Sequence, residues 1–410
     1  MSVYHGSHGL GVHMKPTGAG AAAAGLLALA VAIGIGRFAF TPLLPVMQED
    51  AGLSVAAGAW LASANYVGYL VGALSAMAIR VRPVSAIRGG LIATSLATVA
   101  MGLEDRFAAW LALRALAGIA SAWVLVHVSA WSLGQLAPLR RPLLAGVVFA
   151  GVGAGIMSVG LICIVLMHAG AGSARGWIVF GMFSFFLSAI AWRGFGTGDR
   201  DSQAGGQPEH VMAGRRSEAG RLVFSYFALG FGYIIPATFL PVMAREAIGD
   251  PAIFGWSWPV FGLAAGISTV VAALLAESVG NRRLWIASQF LMALGVAVPV
   301  FMPGIWGILM SALFVGGTFM VITMAGLKEA RTVGDGSPAR LMAAMTAAFA
   351  LGQIAGPIAV SYAVGANWSF SVPLVTASLL LAAGACAVMP GASRAAAPVD
   401  AFDTRERKPQ

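Results

Sequence analysis

Apolar residues in this chain do not alternate with polar ones. They run, in stretches of about twenty, and the runs recur from one end of the chain to the other. Short polar breaks rich in Arg, Gly and Pro separate them. Twelve segments can be drawn, at about 22–46, 56–79, 86–103, 107–132, 143–167, 177–192, 222–243, 253–276, 284–300, 305–325, 341–364 and 370–389. At 1.5 Å of rise per residue, such segments span a bilayer core as α-helices. The pattern predicts an all-α polytopic membrane protein, with the lipid bilayer as its solvent.

The one long polar break, 193–221, divides the segments six and six. It contains Gly-Asp-Arg-Asp-Ser-Gln-Ala-Gly-Gly-Gln at 198–207 and the pair Arg215-Arg216, and it reads as a flexible linker. The expected organisation is an N-terminal segment 1–21, a six-helix bundle 22–192, the linker 193–221, a second bundle 222–389 and a polar tail 390–410. Met14-Lys15-Pro16 is an alternative start, which would leave 1–13 outside the protein.

Composition agrees. The chain is 59% hydrophobic and only 10% charged, against about 25% charge in soluble domains. Its net charge of +9 does not point to nucleic acid, because the basic residues are placed by topology. Of 25 Lys and Arg, 20 fall in loops on the side of the termini, and only Arg106, Arg175 and Arg245 fall in loops opposite. By the positive-inside rule both termini are expected to be cytoplasmic. Cys163 and Cys386 lie in apolar segments and read as small hydrophobes. No metal-ligand spacing and no cofactor motif occur, and the chain is not expected to be an enzyme. The glycines of segment five lack the following lysine of a nucleotide loop, so ATP-driven transport is not expected.

The two halves repeat at an offset of 196 residues. GIGRFAFTPLLPVM at 34–47 aligns with GFGYIIPATFLPVM at 230–243, with identities at Gly34, Gly36, Leu44, Pro45, Val46 and Met47. The same offset pairs Trp60 with Trp256 and places Arg37 opposite Tyr233. Two six-helix halves of this kind are the organisation of the major facilitator superfamily. The chain resembles that superfamily in its motifs too. The loop after segment eight keeps Glu277, Gly280, Arg282 and Arg283 of the acid–glycine–basic latch. The first-half copy keeps Gly72, Leu74 and Arg80 but has Ala76 and Ile79 at the acid and glycine positions. Arg114-x-x-x-Gly118, Gly151-x-Gly153-x-Gly155 and Gly352-Gln353-Ile354-Ala355-Gly356-Pro357 stand where helices four, five and eleven carry their motifs. Residues 34–45 with Asn65-Tyr66-x-Gly68-Tyr69-x-x-Gly72-Ala73-Leu74 are similar to the YbfB/YjiJ-type branch. The resemblance implies alternating access around a central site, without naming a substrate.

Candidate chemistry centres on charge in the apolar segments. Arg37 and Arg114 are the two basic residues deep inside them, Arg88 standing at the edge of its segment and being counted with the loops, and no Asp or Glu falls there. A guanidinium at membrane depth costs about 2.5–3.5 kcal/mol on insertion scales, so it usually serves a function or a partner. Counting from the segment ends puts Arg37, Asn65, Arg114 and Tyr233 all about 10–13 Å below one face. The resemblance places helices one, four and seven on the central cavity, with helix two beside it. These residues, with Tyr66, Tyr69 and Gln353, form the expected substrate site, and the excess of cations favours a small organic anion. Each has a plainer reading. Arg114 can be structural or pair with Glu104 or Asp105, Arg37 can cap carbonyls near Pro42, and Asn65, Tyr69, Gln353 and Tyr362 can bond neighbouring helices. His127 reads as a packing residue, and Trp256 and Trp258 as interfacial anchors. Gly34, Gly36, Gly118, Gly151, Gly155, Gly356 and Pro357 read as helix-packing positions. Coupling is open between a proton and a counter-anion, and the protein is expected to be monomeric. The rival readings are efflux of amphipathic compounds, with both arginines structural, and a membrane sensor that binds without transporting.

Overall fold

The computed structural model describes residues 18–79, 81–139, 141–195, 213–248, 255–333, 338–366 and 368–389. The N-terminal segment up to residue 17, the alternative start at Met14, the core of the linker and the tail lie outside the described residues, as do Arg80 and the side chain of Glu277. Among the described residues there is no strand.

The first membrane crossing is not a single helix. Helix α1 (Gly18–Leu29) passes into a π-helical turn (Ala30–Ile35), then an irregular turn at 36–39, and resumes as α2 (Phe40–Asp50). Wide i→i+5 bonds mark the break: Gly36 N–H donates to Val31 O at 2.9 Å and Phe38 N–H to Ile33 O at 3.3 Å. Pro42 and Pro45 come after the break, inside α2, where Pro42 sits in the first turn and its missing N–H costs little. The other crossings are α3 (Val55–Ala78), α4 (Pro83–Met101), α5 (Phe107–Leu136), α6 (Pro142–His168), α7 (Ser173–Trp192), α8 (Ala213–Ile248), α9 (Ser257–Val279), α10 (Asn281–Phe301), α11 (Ile305–Val333), α12 (Pro338–Gly365) and α13 (Ser371–Val388). Eleven of the crossings are long and apolar enough to span a membrane. The twelfth, α3, falls outside that set, and it is the helix carrying Asn65, Tyr66 and Tyr69.

Several helices run longer than the apolar pattern predicts. Helix α8 starts at Ala213, inside the expected linker, and α11 continues to Val333. Hydropathy marks where lipid ends, not where backbone hydrogen bonding ends, and Arg, Glu and Ala are good helix formers.

The repeat runs through the whole architecture. Shifted back by 196 residues, α12 would span 142–169, and α6 spans Pro142–His168. The same shift carries α13 onto α7, α11 onto α5, α10 onto α4, α9 onto α3 and α8 onto the broken α1–α2. The halves meet along two seams, α3 with α12 and α6 with α9, which that shift interchanges. Small residues make the second seam close. A Cβ on Gly153 would lie 2.2 Å from the Gly266 nitrogen, and one on Gly262 would lie 2.3 Å from the Met157 nitrogen. Large apolar side chains such as Leu96, Val165, Phe186, Leu263, Leu294 and Leu379 stay exposed at the periphery, as lipid-facing positions should.

Candidate functional site

Equivalent residues of two parallel repeats meet only where both approach the pseudo-twofold axis that relates them. Three such pairs bond here, all at an offset of 196. Arg37 Nη2 donates to the Tyr233 hydroxyl at 3.2 Å. Thr41 Oγ1 donates to Ala237 O at 2.8 Å. Glu49 pairs with Arg245 at 2.6 Å. Arg245 also donates to the carbonyl of Pro45. Positions 37, 41, 45 and 49 are four apart and form one face of the first crossing. They lie along 233, 237, 241 and 245 of α8. The two crossings therefore flank the axis from Arg37 up to the face opposite the basic loops. Tyr66 and Thr238 hydroxyls, 3.1 Å apart, add a rung from α3, and Ser63 Oγ donates to Ile354 O at 3.3 Å.

At the inner end of this strip Arg37 is only 4% exposed. Its guanidinium carbon lies 4.7 Å from the Tyr69 ring centre, 4.8 Å from Tyr66 and 5.4 Å from Phe38, a cation held against aromatic faces. Tyr233 is stacked between Phe319 and Phe349, with centroids at 5.4 and 5.6 Å and near-parallel planes. Its hydroxyl also bonds Gln353, which is fully buried on α12. Arg37 Nε and Gln353 Oε1 are buried without a hydrogen-bond partner, and no carboxylate among the described residues pairs with Arg37. A buried polar atom left unpaired costs about 1–3 kcal/mol. The fold carries that cost at its axis.

Arg114 is placed differently from the sequence expectation. It is 2% exposed, but its Nη2 donates to Arg37 O at 3.1 Å, Nη1 to Gly36 O at 3.3 Å and Nε to Leu61 O at 3.5 Å, over the Phe40 ring. It holds the carbonyls at the break in the first crossing. The capping role anticipated for Arg37 thus belongs to Arg114, and Glu104 bonds Arg106 rather than Arg114. Asn65 Nδ2 donates to Arg114 O at 2.9 Å, which fixes α3 to α5, while its Oδ1 is buried and unpaired. Arg37, Tyr66, Tyr69, Tyr233 and Gln353 converge, whereas Arg114 and Asn65 form the wall behind them.

The latch residues lie at the basic face of the second half. Gly280 has φ +83, a conformation that favours glycine, and it turns the chain between α9 and α10. Arg282 pairs with Glu218 at 2.6 Å and Glu329 at 3.5 Å and donates to Val388 O at 2.8 Å. It ties α8, α11 and α13 together within one half, while Arg283 is exposed. Of the packing positions, Gly34 meets Gly155 backbone to backbone, Gly151 meets Leu26 O and Gly118 meets Asn65 O. Gly36 faces Thr94 and Gly356 faces Ile234, both side chains, and Pro357 is buried.

Other expectations fall outside the site. Trp258 is no interfacial anchor. It is fully buried, 5.9 Å from Phe38 and stacked on Phe261, because it faces the axis and not the lipid. Trp256 is exposed. Tyr362 is 82% exposed, and Cys386 is exposed while Cys163 is buried. His127 stacks on Trp123 and bonds its carbonyl. No metal-binding group occurs among the described residues. Sequence reasoning missed Thr41, Phe319, Phe349 and the Glu49–Arg245 pair. The signal for 41 and 49 was present, since their partners are the residues 196 further on.

No curated protein matches this chain. A family described as uncharacterised MFS-type transporter YbfB matches residues 29–389. With two six-helix halves built on one repeat and that match across nearly its whole length, the chain belongs to this family of major facilitator superfamily membrane transporters.

Proposed function

We propose that this transporter is a secondary carrier of a small organic anion, working by alternating access in the bacterial inner membrane with its basic face cytoplasmic. One observation carries the reading: Arg37 sits on the pseudo-twofold axis, buried, with no carboxylate partner among the described residues. An anion there would supply the missing counter-charge through charge-assisted hydrogen bonds. Tyr66, Tyr69, Tyr233 and Gln353 surround it. Both halves contribute to the contact, so rocking one bundle against the other would carry the site from one face to the other. Toward the face opposite the basic loops the two halves are joined by the rungs at 41/237 and 49/245. Opening that face requires these to part. With no buried acid beside Arg37 among the described residues, coupling runs through the substrate's own charge, by exchange of anions or with a proton the substrate carries. The carrier acts as a monomer, since each chain holds a complete axis.

The test is a thermal-shift screen of the purified protein against carboxylates, phosphates, sugars, amino acids and lipophilic cations, with Arg37→Gln beside the wild type. Stabilisation by one anion class, lost in the mutant, supports the reading. Stabilisation only by cations or neutral compounds, or stabilisation that survives the mutation, overturns it and favours efflux of amphipathic compounds.

A further inference from the structure

Resting on the reading of Arg37 as the anion ligand, we propose that the site selects a monovalent oxyanion with a compact apolar body, of the aromatic or branched monocarboxylate class. The sequence offers two intramembrane guanidiniums, which would suit a dianion or a phosphate. The structure leaves one. Arg114 spends Nε, Nη1 and Nη2 on the carbonyls of Leu61, Gly36 and Arg37. Arg114 keeps its charge, but with each of its nitrogens donating to a carbonyl it is not free to clamp a second anionic group, which would be buried away from Arg37 without a charge-assisted hydrogen bond.

The donor count sets the headgroup. Arg37, Tyr233 and Gln353 together carry eight N–H and O–H donors and four acceptor lone pairs. Two hydrogen bonds join them to one another. Donors remain in excess whichever way the Gln353 amide is turned. The group that completes the cluster is therefore an acceptor with several lone pairs, and a carboxylate has two oxygens for it. The surroundings set the body. Phe38, Tyr66, Tyr69, Phe319 and Phe349 close on the Arg37–Tyr233 pair. Beyond the hydroxyls these are rings, which favour apolar contact over a sugar-like polyol or a second acid.

The test measures binding of acetate, phenylacetate, benzamide and phthalate to the purified full-length protein, by calorimetry and by quenching of tryptophan fluorescence. Wild type, Arg37→Gln, Arg37→Lys and Phe319→Leu are compared. The proposal expects phenylacetate to bind at least about tenfold more tightly than acetate, benzamide or phthalate, a difference of about 1.4 kcal/mol. Arg37→Gln should abolish that binding, Arg37→Lys should keep part of it, and Phe319→Leu should narrow the gap between phenylacetate and acetate. Phthalate or acetate binding as tightly as phenylacetate, with both lost in Arg37→Gln, would overturn this inference and leave the anion reading standing. Benzamide binding as well as phenylacetate, or no effect of Arg37→Gln, would overturn both.

Discussion

The two copies of the repeat around 34–47 and 230–243 share Gly, Leu, Pro, Val and Met at matching places, yet they fold differently. The second copy lies within one continuous helix, α8, despite Pro236 and Pro241. The first breaks into a π turn and a bend before resuming as α2. The break exposes carbonyls that Arg114 takes up, and it sets Arg37 on the axis against Tyr233 of the unbroken copy. Single-turn π segments often mark functional positions. The comparison teaches how a duplicated fold makes an asymmetric site. One copy spends stability on an irregular backbone with a charge in it, and the other supplies a rigid ring stacked between two phenylalanines.

Where the copies behave alike, they should break alike. A Cβ on Gly34 would lie 2.5 Å from the Gly155 Cα, and one on Gly230 would lie 2.1 Å from Phe349 O. Backbone cannot yield as a side chain can, so Gly34→Ala and Gly230→Ala should each cost about 3 kcal/mol or more and sharply reduce folded protein in detergent. Gly356→Ala meets the Ile234 side chain and should cost about 1 kcal/mol or less, with thermal unfolding as the readout. Equal losses at all three sites would remove the distinction.

The next largest effect separates the two arginines. Arg114→Gln leaves carbonyls at the break unpaired and should cost about 3 kcal/mol. Arg37→Gln gives up one hydrogen bond and ring contacts but also removes a buried charge, so its stability should stay within about 2 kcal/mol of wild type while anion binding disappears. The opposite ranking in thermal unfolding would show that Arg37 is the structural residue. Tyr233→Phe removes the hydroxyl that holds Arg37 and keeps the stacking. It should weaken anion binding by about tenfold, one charge-assisted hydrogen bond's worth, with little change in stability.

The smallest effect lies at the outer rung. The Glu49–Arg245 pair is partly exposed, with side chains 63% and 29% accessible, so Glu49→Gln should cost no more than about 1 kcal/mol. It should still shift the carrier toward states open on that face, measured as faster labelling of a Thr41→Cys reporter. Unchanged labelling would mean that the pair does not hold the gate.

Much of this was legible from residue patterns. The apolar runs and the repeat fixed the twelve crossings, because membrane helices must satisfy their backbone internally. Equal depth grouped Arg37, Asn65, Arg114 and Tyr233; of these, Arg37 and Tyr233 meet, while Asn65 and Arg114 bond backbone behind them. Other features depend on tertiary direction, which hydropathy does not carry. Trp258 and Trp256 are two residues apart, yet one faces the axis and the other the outside. The role of Arg114 depends on a backbone break in a helix nearly eighty residues earlier, as its bond to Arg37 O across 77 positions shows. Phe319 and Phe349 looked like any apolar residue until Tyr233 was found stacked between them.

The most direct test of the central claim is to locate a bound anion. Crystals grown with 4-bromophenylacetate would give an anomalous bromine signal that needs no assumption about the pose. The account predicts a bromine peak among the rings around Arg37, on the pseudo-twofold axis, with the carboxylate within hydrogen-bond distance of the guanidinium, and no such peak in Arg37→Gln. A peak elsewhere in the protein, or one that persists at the axis in the mutant, would contradict it.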